Sequence, residues 1–319
     1  MNKLPFELVE KKLIYKRKIR LGKPAKRSAD ELLNFGIINL DKPRGPKSIH
    51  CGNKIRKLLE QPKVGHAGTL DPLVTGVLPI GIGKGVKVLS VISKAGKVYE
   101  GTMHLHGKVS KAMVEKAFRK FTGKIKQLPP RVSAVARKLR EREIYWLTLK
   151  KFENNNVEFE VGCEAGTYIR KLCHDIGEYL KVGGHMASLR RLQAGPFKIS
   201  ESVTLNDIRQ NYKKYLKTKK DIYIKNIILP PETAVAHLPA VYVDEGVLPR
   251  IKNGSPVFVP GILAFTSDLQ KNSVTAIYDV NKNLVAIGIS QLDAKELQKA
   301  QKGMAIKTDI VLISSAKNL

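Results

Sequence analysis

Asp71 is the most chemically suggestive residue in the chain. It lies in "VGHAGTLDPLVTGVLPIGIGKG" (64–85), among glycines, a histidine and a threonine, with no second carboxylate within ten residues. Glycoside hydrolysis usually calls on two carboxylates, so a lone acid argues against it. Covalent catalysis, or proton abstraction by an ionised carboxylate beside a guanidinium, suits one acid better. The small neighbours leave a ligand room to come close. The guanidinium must come from elsewhere in the chain, and the candidate is Arg170 in "AGTYIRKLCHDIG", where Gly166 and Thr167 open the helix that carries it. A turn-capping Asp71 and a solvated Arg170 would explain the same spacing.

Other motifs fail on their own terms. A phosphate loop ending at Gly83-Lys84 needs glycine where Leu78 stands and Ser or Thr where Gly85 stands. A dinucleotide fingerprint from Gly81 needs glycine at Val86, and Pro79 interrupts what precedes it. His104 and His106 are two apart on a strand with no third ligand near in sequence, so no metal is expected there. Cys51, Cys163 and Cys173 form no C-x-x-C pair, which argues against zinc or a disulfide framework, and Cys173 falls on a helical apolar stripe as a core residue.

The elements that must position Asp71 alternate without a steady β-α-β-α order. "FGIINLDK" reads as a strand before a Pro/Gly turn, and Ser48 is placed to cap the helix that follows. "VLPIGIG", "KVYEGTMHLHG" and "VEFEVGC" have the alternation of strands, while "SKAMVEKAFRKFTG" and "TYIRKLCHDIGEYL" have helical spacing. The fold class expected is α+β, with a mixed, largely antiparallel sheet. A Lys-rich, Tyr-dotted stretch, "NYKKYLKTKKDIYIKN", ends this part. Short strands, "AVYVD", "SPVFVPG", "VTAIYDV", "NLVAIGI" and "AIKTDIVLI", with Pro, Gly and Asn turns then predict a small C-terminal β-barrel. The expected division is a basic extension over 1–36, with Ser28 and Glu31 spaced as a capping box, a catalytic domain over 37–237 and a barrel over 238–319. The formal net charge of +29 points to nucleic acid as partner. No apolar leader or membrane-length run is present, so a cytoplasmic protein is expected.

At these residues the chain resembles the TruB-type pseudouridine synthases. "GHAGTLDPLVTGVLPIGIGKG" is similar to the catalytic motif of that family, and "NLDKPRGPKS", "KVYEG", "AGTYIRKL" and "LRRLQAGPF" resemble its other segments in the family's order. "GCEAGTYIRKLCHDIG" and the terminal barrel bring it nearer the archaeal and eukaryotic dyskerin branch. The resemblance covers residues 37 to about 312. It implies isomerisation of uridine to pseudouridine in RNA, with no cofactor and no metal.

Carried onto this chain, the resemblance makes Asp71 the catalytic acid group, attacking the sugar or abstracting a sugar proton. Arg170 would pair with it, and Tyr99 would stack on the flipped base. Tyr168 would lie beside the base as proton acceptor or packing wall. His66 would help hold or displace the nucleotide, Leu189 would close the pocket, and Lys42 with Pro43 would support the Asp71 loop. The barrel resembles a PUA domain, with Gly254 and "VPGI" at its turns.

In the dyskerin branch such a chain is the monomeric catalytic subunit of an H/ACA ribonucleoprotein acting on ribosomal RNA. It is accompanied there by guide RNA and three small proteins, and its extension packs along the PUA domain. Long Lys-rich tails are missing here, so the chain looks archaeal. A stand-alone synthase for the T-loop uridine of tRNA is the alternative, although the RNA-clamping insertion of the bacterial enzymes that do this is not evident. "PPRVSAVARKLRERE" departs from the family pattern in its basic residues, so Arg131, Arg137 and Lys138 receive no RNA contact. "DLQKNSVTAIYDVNKN" departs too, which leaves the barrel's RNA-reading residues unassigned.

Overall fold

The computed structural model describes residues 2–24, 26–128 and 138–313, so Arg131 and Arg137 lie outside the described residues. In chain order the strands are β1 (Leu13–Tyr15), β2 (Phe35–Lys42), β3 (Val64–His66), β4 (Thr75–Gly83) and β5 (Lys97–Leu105), then β6 (Gly123–Gln127), β7 (Arg140–Glu153), β8 (Asn156–Cys163), β9 (Gly184–Ala194) and β10 (Phe197–Lys198). The C-terminal part adds β11 (Ala240–Val243), β12 (Val257–Phe258), β13 (Ile262–Thr266), β14 (Val274–Tyr278), β15 (Leu284–Ser290) and β16 (Met304–Val311).

The larger sheet runs β2-β4-β9-β5-β8-β7-β6, with β3 paired to β4 and β10 to β9. Its pairings are antiparallel except one short parallel contact between β4 and β9, where Thr75 faces Arg190 and Gly76 faces Arg191. That contact brings the end of the Asp71 loop against the "LRR" stretch. The expected α+β class with a mixed, largely antiparallel sheet is the fold observed.

Two apolar cores form against this sheet. The helices Ser48–Leu58 and Leu205–Thr218 contribute Cys51, Ile55 and Ile208 against Ile38, Leu78 and Ile80. The helices Lys111–Lys120 and Ile169–Tyr179 contribute Val114, Phe118, Leu172 and Ile176 against Met103, Phe159 and Val161. Both arrangements follow from helical apolar stripes meeting alternating strands. Tyr99, Met186 and Leu189 are half-buried and touch both cores, which places them at the seam.

The second sheet runs β1-β13-β11-β14-β15-β16-β12 and encloses its own core, with Val241, Phe265, Ile277 and Ile306 at its centre. Strand β13 escapes the sequence reading. All five of its residues are buried, so it lacks the alternation that marks a half-exposed strand. The strand expected over "SPVFVPG" shrinks to Val257–Phe258, because the flanking Pro256 and Pro260 have no N–H to donate. A further apolar cluster joins the two sheets, combining Phe35, Val77, Ala194 and Phe197 with Ala276, Leu284, Ile287 and Leu312.

The basic extension contacts both parts. Strand β1 pairs with β13, and Lys16 Nζ donates to the carbonyls of Leu297 (2.7 Å) and Ala300 (2.6 Å) at the end of the helix Ala294–Lys299. Arg27 pairs with Glu232 at 2.6 Å. The helix Ala29–Asn34, capped by the Ser28–Glu31 box, buries Ala29, Leu32 and Leu33 in the first core of the larger sheet.

Candidate active site

The chain between β3 and β4 carries Asp71 on a loop pinned from below. Lys42 is fully buried, and its Nζ donates to the carbonyls of Pro43 (2.9 Å), Pro72 (3.2 Å) and Val74 (2.8 Å). Burial pushes its pKa below the usual lysine value, against the pull of nearby Asp71. Gly45 N donates to Pro72 O at 2.8 Å, tying the Pro/Gly turn to the same loop. Pro43 itself is exposed and takes part through its carbonyl.

The spacing predicts Ser48 as a helix cap, and the structure corrects this. Lys47 holds the cap position without a side-chain bond, and Ser48 is the first helical residue. Its Oγ donates to Leu70 O (3.0 Å) and accepts from Leu70 N (2.9 Å). Leu70 is buried beside Asp71, so its backbone groups need a partner more than the exposed helix end does.

Arg170 forms an ion pair with Asp71, and both side chains are a little over half exposed. The backbone that carries the guanidinium is set by the turn before it. Arg170 is the second residue of the helix Ile169–Tyr179, and Gly166 takes φ +81° in the turn before it. Buried Gln127 at the end of β6 then grips Tyr168 on both sides: Tyr168 N donates to Gln127 Oε1 (3.0 Å), and Gln127 Nε2 donates to Tyr168 O (3.2 Å).

Tyr99 lies on β5 directly across from Arg191 on β9, and Gly101 lies across from Leu189. A side chain at Gly101 would collide with Leu189 and Ser188, so glycine lets β9 approach here. The Tyr99 phenol shares one face of the sheet with Arg191. Burial raises its pKa, only partly countered by Arg191, so the phenol stays protonated. His66 on β3 has its pKa lowered by burial and, secondarily, by the Arg191 charge. Its buried Nδ1 has no hydrogen-bond partner among the described residues.

The structure therefore brings Asp71 and Arg170 into contact, sets Lys42 and the Pro43 carbonyl beneath them, and places Tyr99 on β5 across from Arg191, with His66 on β3. Leu189 and Tyr99 share the seam between the cores. Sequence reasoning passed over Arg191 and Gln127 and gave Ser48 only the part of a helix cap. Their only signal is a polar residue in an apolar setting, which is visible once burial is known. Arg190, also unremarked, chelates Asp41 at 3.1 and 2.7 Å and fixes the parallel β4–β9 contact from the other side.

His104 and His106, expected to stand without a third ligand, have His185 beside them. The register places His185 opposite His104, and its Nδ1 lies 2.8 Å from His106 Nε2. His104 Nδ1 is bonded to Asn156 Oδ1 at 2.9 Å. Among the described residues, no group of three or more His, Cys, Asp or Glu is arranged to hold a metal ion.

An exposed carboxylate and guanidinium, steadied by a buried cation and flanked by half-buried aromatic and aliphatic side chains, can act on a bound ligand, while the second sheet offers a separate surface. The class of protein so defined is an enzyme with an appended binding domain. Family profiles match in chain order: the TruB family pseudouridylate synthase N-terminal domain (56–111 and 104–169), the tRNA pseudouridylate synthase B C-terminal domain (170–236) and the PUA domain (239–312). The chain is 38% identical to the probable tRNA pseudouridine synthase B of Methanopyrus kandleri, over 98% of this chain and 94% of that one. It is 39% identical to the protein of the same name from Nanoarchaeum equitans, over 97% and 90%.

Among solved structures, it superposes with a TM-score of 0.92 and 37% identity on a chain from a crystal structure of a Cbf5-Nop10-Gar1 complex, covering 98% of this chain and 96% of that one. The TM-score is 0.90, with 34% identity and 98% of both chains covered, for a chain from an H/ACA RNP bound to a substrate RNA containing 2′-deoxyuridine. The chain belongs to the TruB family of pseudouridine synthases, isomerases that act on RNA, and ends in a PUA domain.

Proposed function

We propose that this chain is the catalytic subunit of an archaeal H/ACA guide-RNA particle, isomerising uridines of ribosomal RNA that the guide presents. The likeness to chains from H/ACA complexes over the whole length, including β1 and the barrel, is the observation that carries this reading. Small proteins of the Nop10 and Gar1 kind are the partners it implies. Barrel and extension supply a surface suited to RNA: a cleft of about 350 Å³ is lined by Arg17, Arg250 and exposed Phe258, which offer guanidinium and aromatic contacts together. The three cysteines are free and buried, in keeping with a reducing cytoplasm.

In this reading Asp71 acts on the sugar of a flipped uridine, oriented by Arg170. The C1′–N1 bond breaks, the uracil turns, and C1′ bonds to C5. N1 gains the proton that C5 gives up, so no atoms enter or leave. The Tyr99 ring stacks on the detached base, an interaction worth about 1–3 kcal/mol. Leu189 and Tyr168 wall the pocket, His66 meets the displaced nucleotide as a neutral imidazole, and Lys42 holds the loop in place.

The curated relatives are named for tRNA, which favours a second reading: direct action on tRNA without a guide. Pseudouridine formation on a ribosomal fragment and on a tRNA transcript, each with and without guide RNA and the small proteins, separates the two. Product on the ribosomal fragment only in the complete particle is expected. Product on tRNA from the chain alone, with no guide-dependent activity, would replace the first reading by the second.

A further inference from the structure

By local rules the helix Ile169–Tyr179 should be loose where it starts. Tyr168 holds its cap position without a side-chain cap bond, no acidic residue lies in its first turn, and Arg170 and Lys171 set two cations against the positive end of the helix dipole. Helix ends of that kind fray at little cost in free energy. Yet Arg170, in this first turn, is the residue that meets Asp71.

The missing support comes from 41 residues away. Gln127 ends β6, at one edge of the larger sheet, and is 2% exposed. Its amide does for Tyr168 what a neighbouring strand would do. Oε1 accepts from Tyr168 N at 3.0 Å, and Nε2 donates to Tyr168 O at 3.2 Å. A backbone N–H can only donate and a carbonyl only accept, so the amide has one productive orientation. Tyr168 O also accepts a helical bond from Leu172 N at 3.0 Å, so clamp and helix meet at one atom. Burying a glutamine costs free energy unless both ends of its amide are bonded, and here both bonds go to this one residue.

We infer that Gln127 is a positioning residue for the isomerisation: it clamps the backbone of Tyr168, and so fixes the start of the helix from which Arg170 reaches Asp71. This rests on the roles given to Asp71 and Arg170 above. A displacement of about 1 Å at a reacting group costs of the order of 10²-fold in rate.

The test is single-turnover pseudouridine formation at saturating RNA, in the complete particle carrying Gln127→Met or Gln127→Glu, with substrate-RNA affinity measured in parallel. Gln127→Met keeps the length of the side chain and removes both bonds. It should slow turnover by about 10- to 100-fold while binding RNA as wild type does. Gln127→Glu keeps the shape and makes one half of the clamp titratable. Protonated, the introduced carboxyl accepts from Tyr168 N and donates to Tyr168 O; ionised, it can only accept, and its charge faces the Tyr168 carbonyl. Turnover of Gln127→Glu relative to wild type should therefore lie near one at low pH. It should fall towards the level of Gln127→Met as pH rises through the titration of that carboxyl, which burial displaces upward from about 4.3.

Wild-type turnover in Gln127→Met would overturn the clamp. So would a ratio of Gln127→Glu to wild type that stays constant from about pH 5 to about pH 9, which decides the matter even if Gln127→Met does not fold. Arg170→Ala separates the two layers of the argument. If it is inactive while Gln127→Met turns over as wild type does, the ion pair stands and the clamp falls; if Arg170→Ala is fully active, the reading of the site itself falls.

Discussion

At the scale of single residues, the site is organised by buried polar groups more than by the exposed pair they present. Asp71 and Arg170 were legible because their types and settings are unusual in sequence, and the resemblance to a known family supplied Tyr99, Tyr168, His66, Leu189, Lys42 and Pro43. Gln127 and Arg191 were not legible, and Ser48 was legible only as a helix cap. Their work is to satisfy carbonyls and amides that only the folded chain brings near, and no local spacing encodes a bond across 22 residues such as Ser48 to Leu70. Replacing Lys42 by Met strands three carbonyls around the Asp71 loop. It should lower unfolding stability by about 1–3 kcal/mol and reduce turnover, read from urea titration and a pseudouridine assay; an unchanged midpoint with full activity would remove Lys42 from this role. Tyr99→Ala should cut single-turnover isomerisation much more than RNA affinity, because stacking is made once the base is out; equal losses in both would argue for an ordinary binding contact.

At the scale of elements, strands and helices with clean periodicity were readable. Strand β13 was not, because burial on both faces erases alternation. Register matters more than element identity for the site, and it is set by long-range pairing: one step of slip between β5 and β9 would turn Tyr99 away from Arg191. Lys97, at the start of β5, anchors this strand by donating to Ile92 O (3.2 Å), Ser93 O (2.7 Å) and Ala95 O (2.6 Å) around the end of the helix Leu89–Lys94. Burial lowers its pKa from the usual 10.5 to about 7. Between those values the folded chain binds fewer protons at Lys97 than the unfolded chain, so this residue makes stability climb as pH rises from about 7 to about 10. The difference in urea midpoint between wild type and Lys97→Met should therefore shift in favour of wild type across that range, and a constant difference would contradict the assignment.

At the scale of the whole molecule, charge and length suggested an RNA-binding chain of two parts, but not how firmly the parts are joined. The apolar cluster shared by Phe35, Val77 and Phe197 with Leu284, Ile287 and Leu312, and the pairing of β1 with β13, bind the barrel to the catalytic sheet. The exposed Lys213, Lys217 and Lys220, on and just after the helix Leu205–Thr218, form a face suited to phosphates. Changing all three to Ala should flatten the plot of log affinity for guide RNA against log salt by about 0.7–0.9 for each phosphate no longer neutralised, and an unchanged slope would show that this face does not touch the backbone. The assignment of the chemistry to Asp71 is decided by pseudouridine formation in the fully assembled particle carrying Asp71→Ala. Such particles should assemble and bind substrate RNA as wild type does and form no pseudouridine; isomerisation at the wild-type rate would take Asp71 out of the reaction.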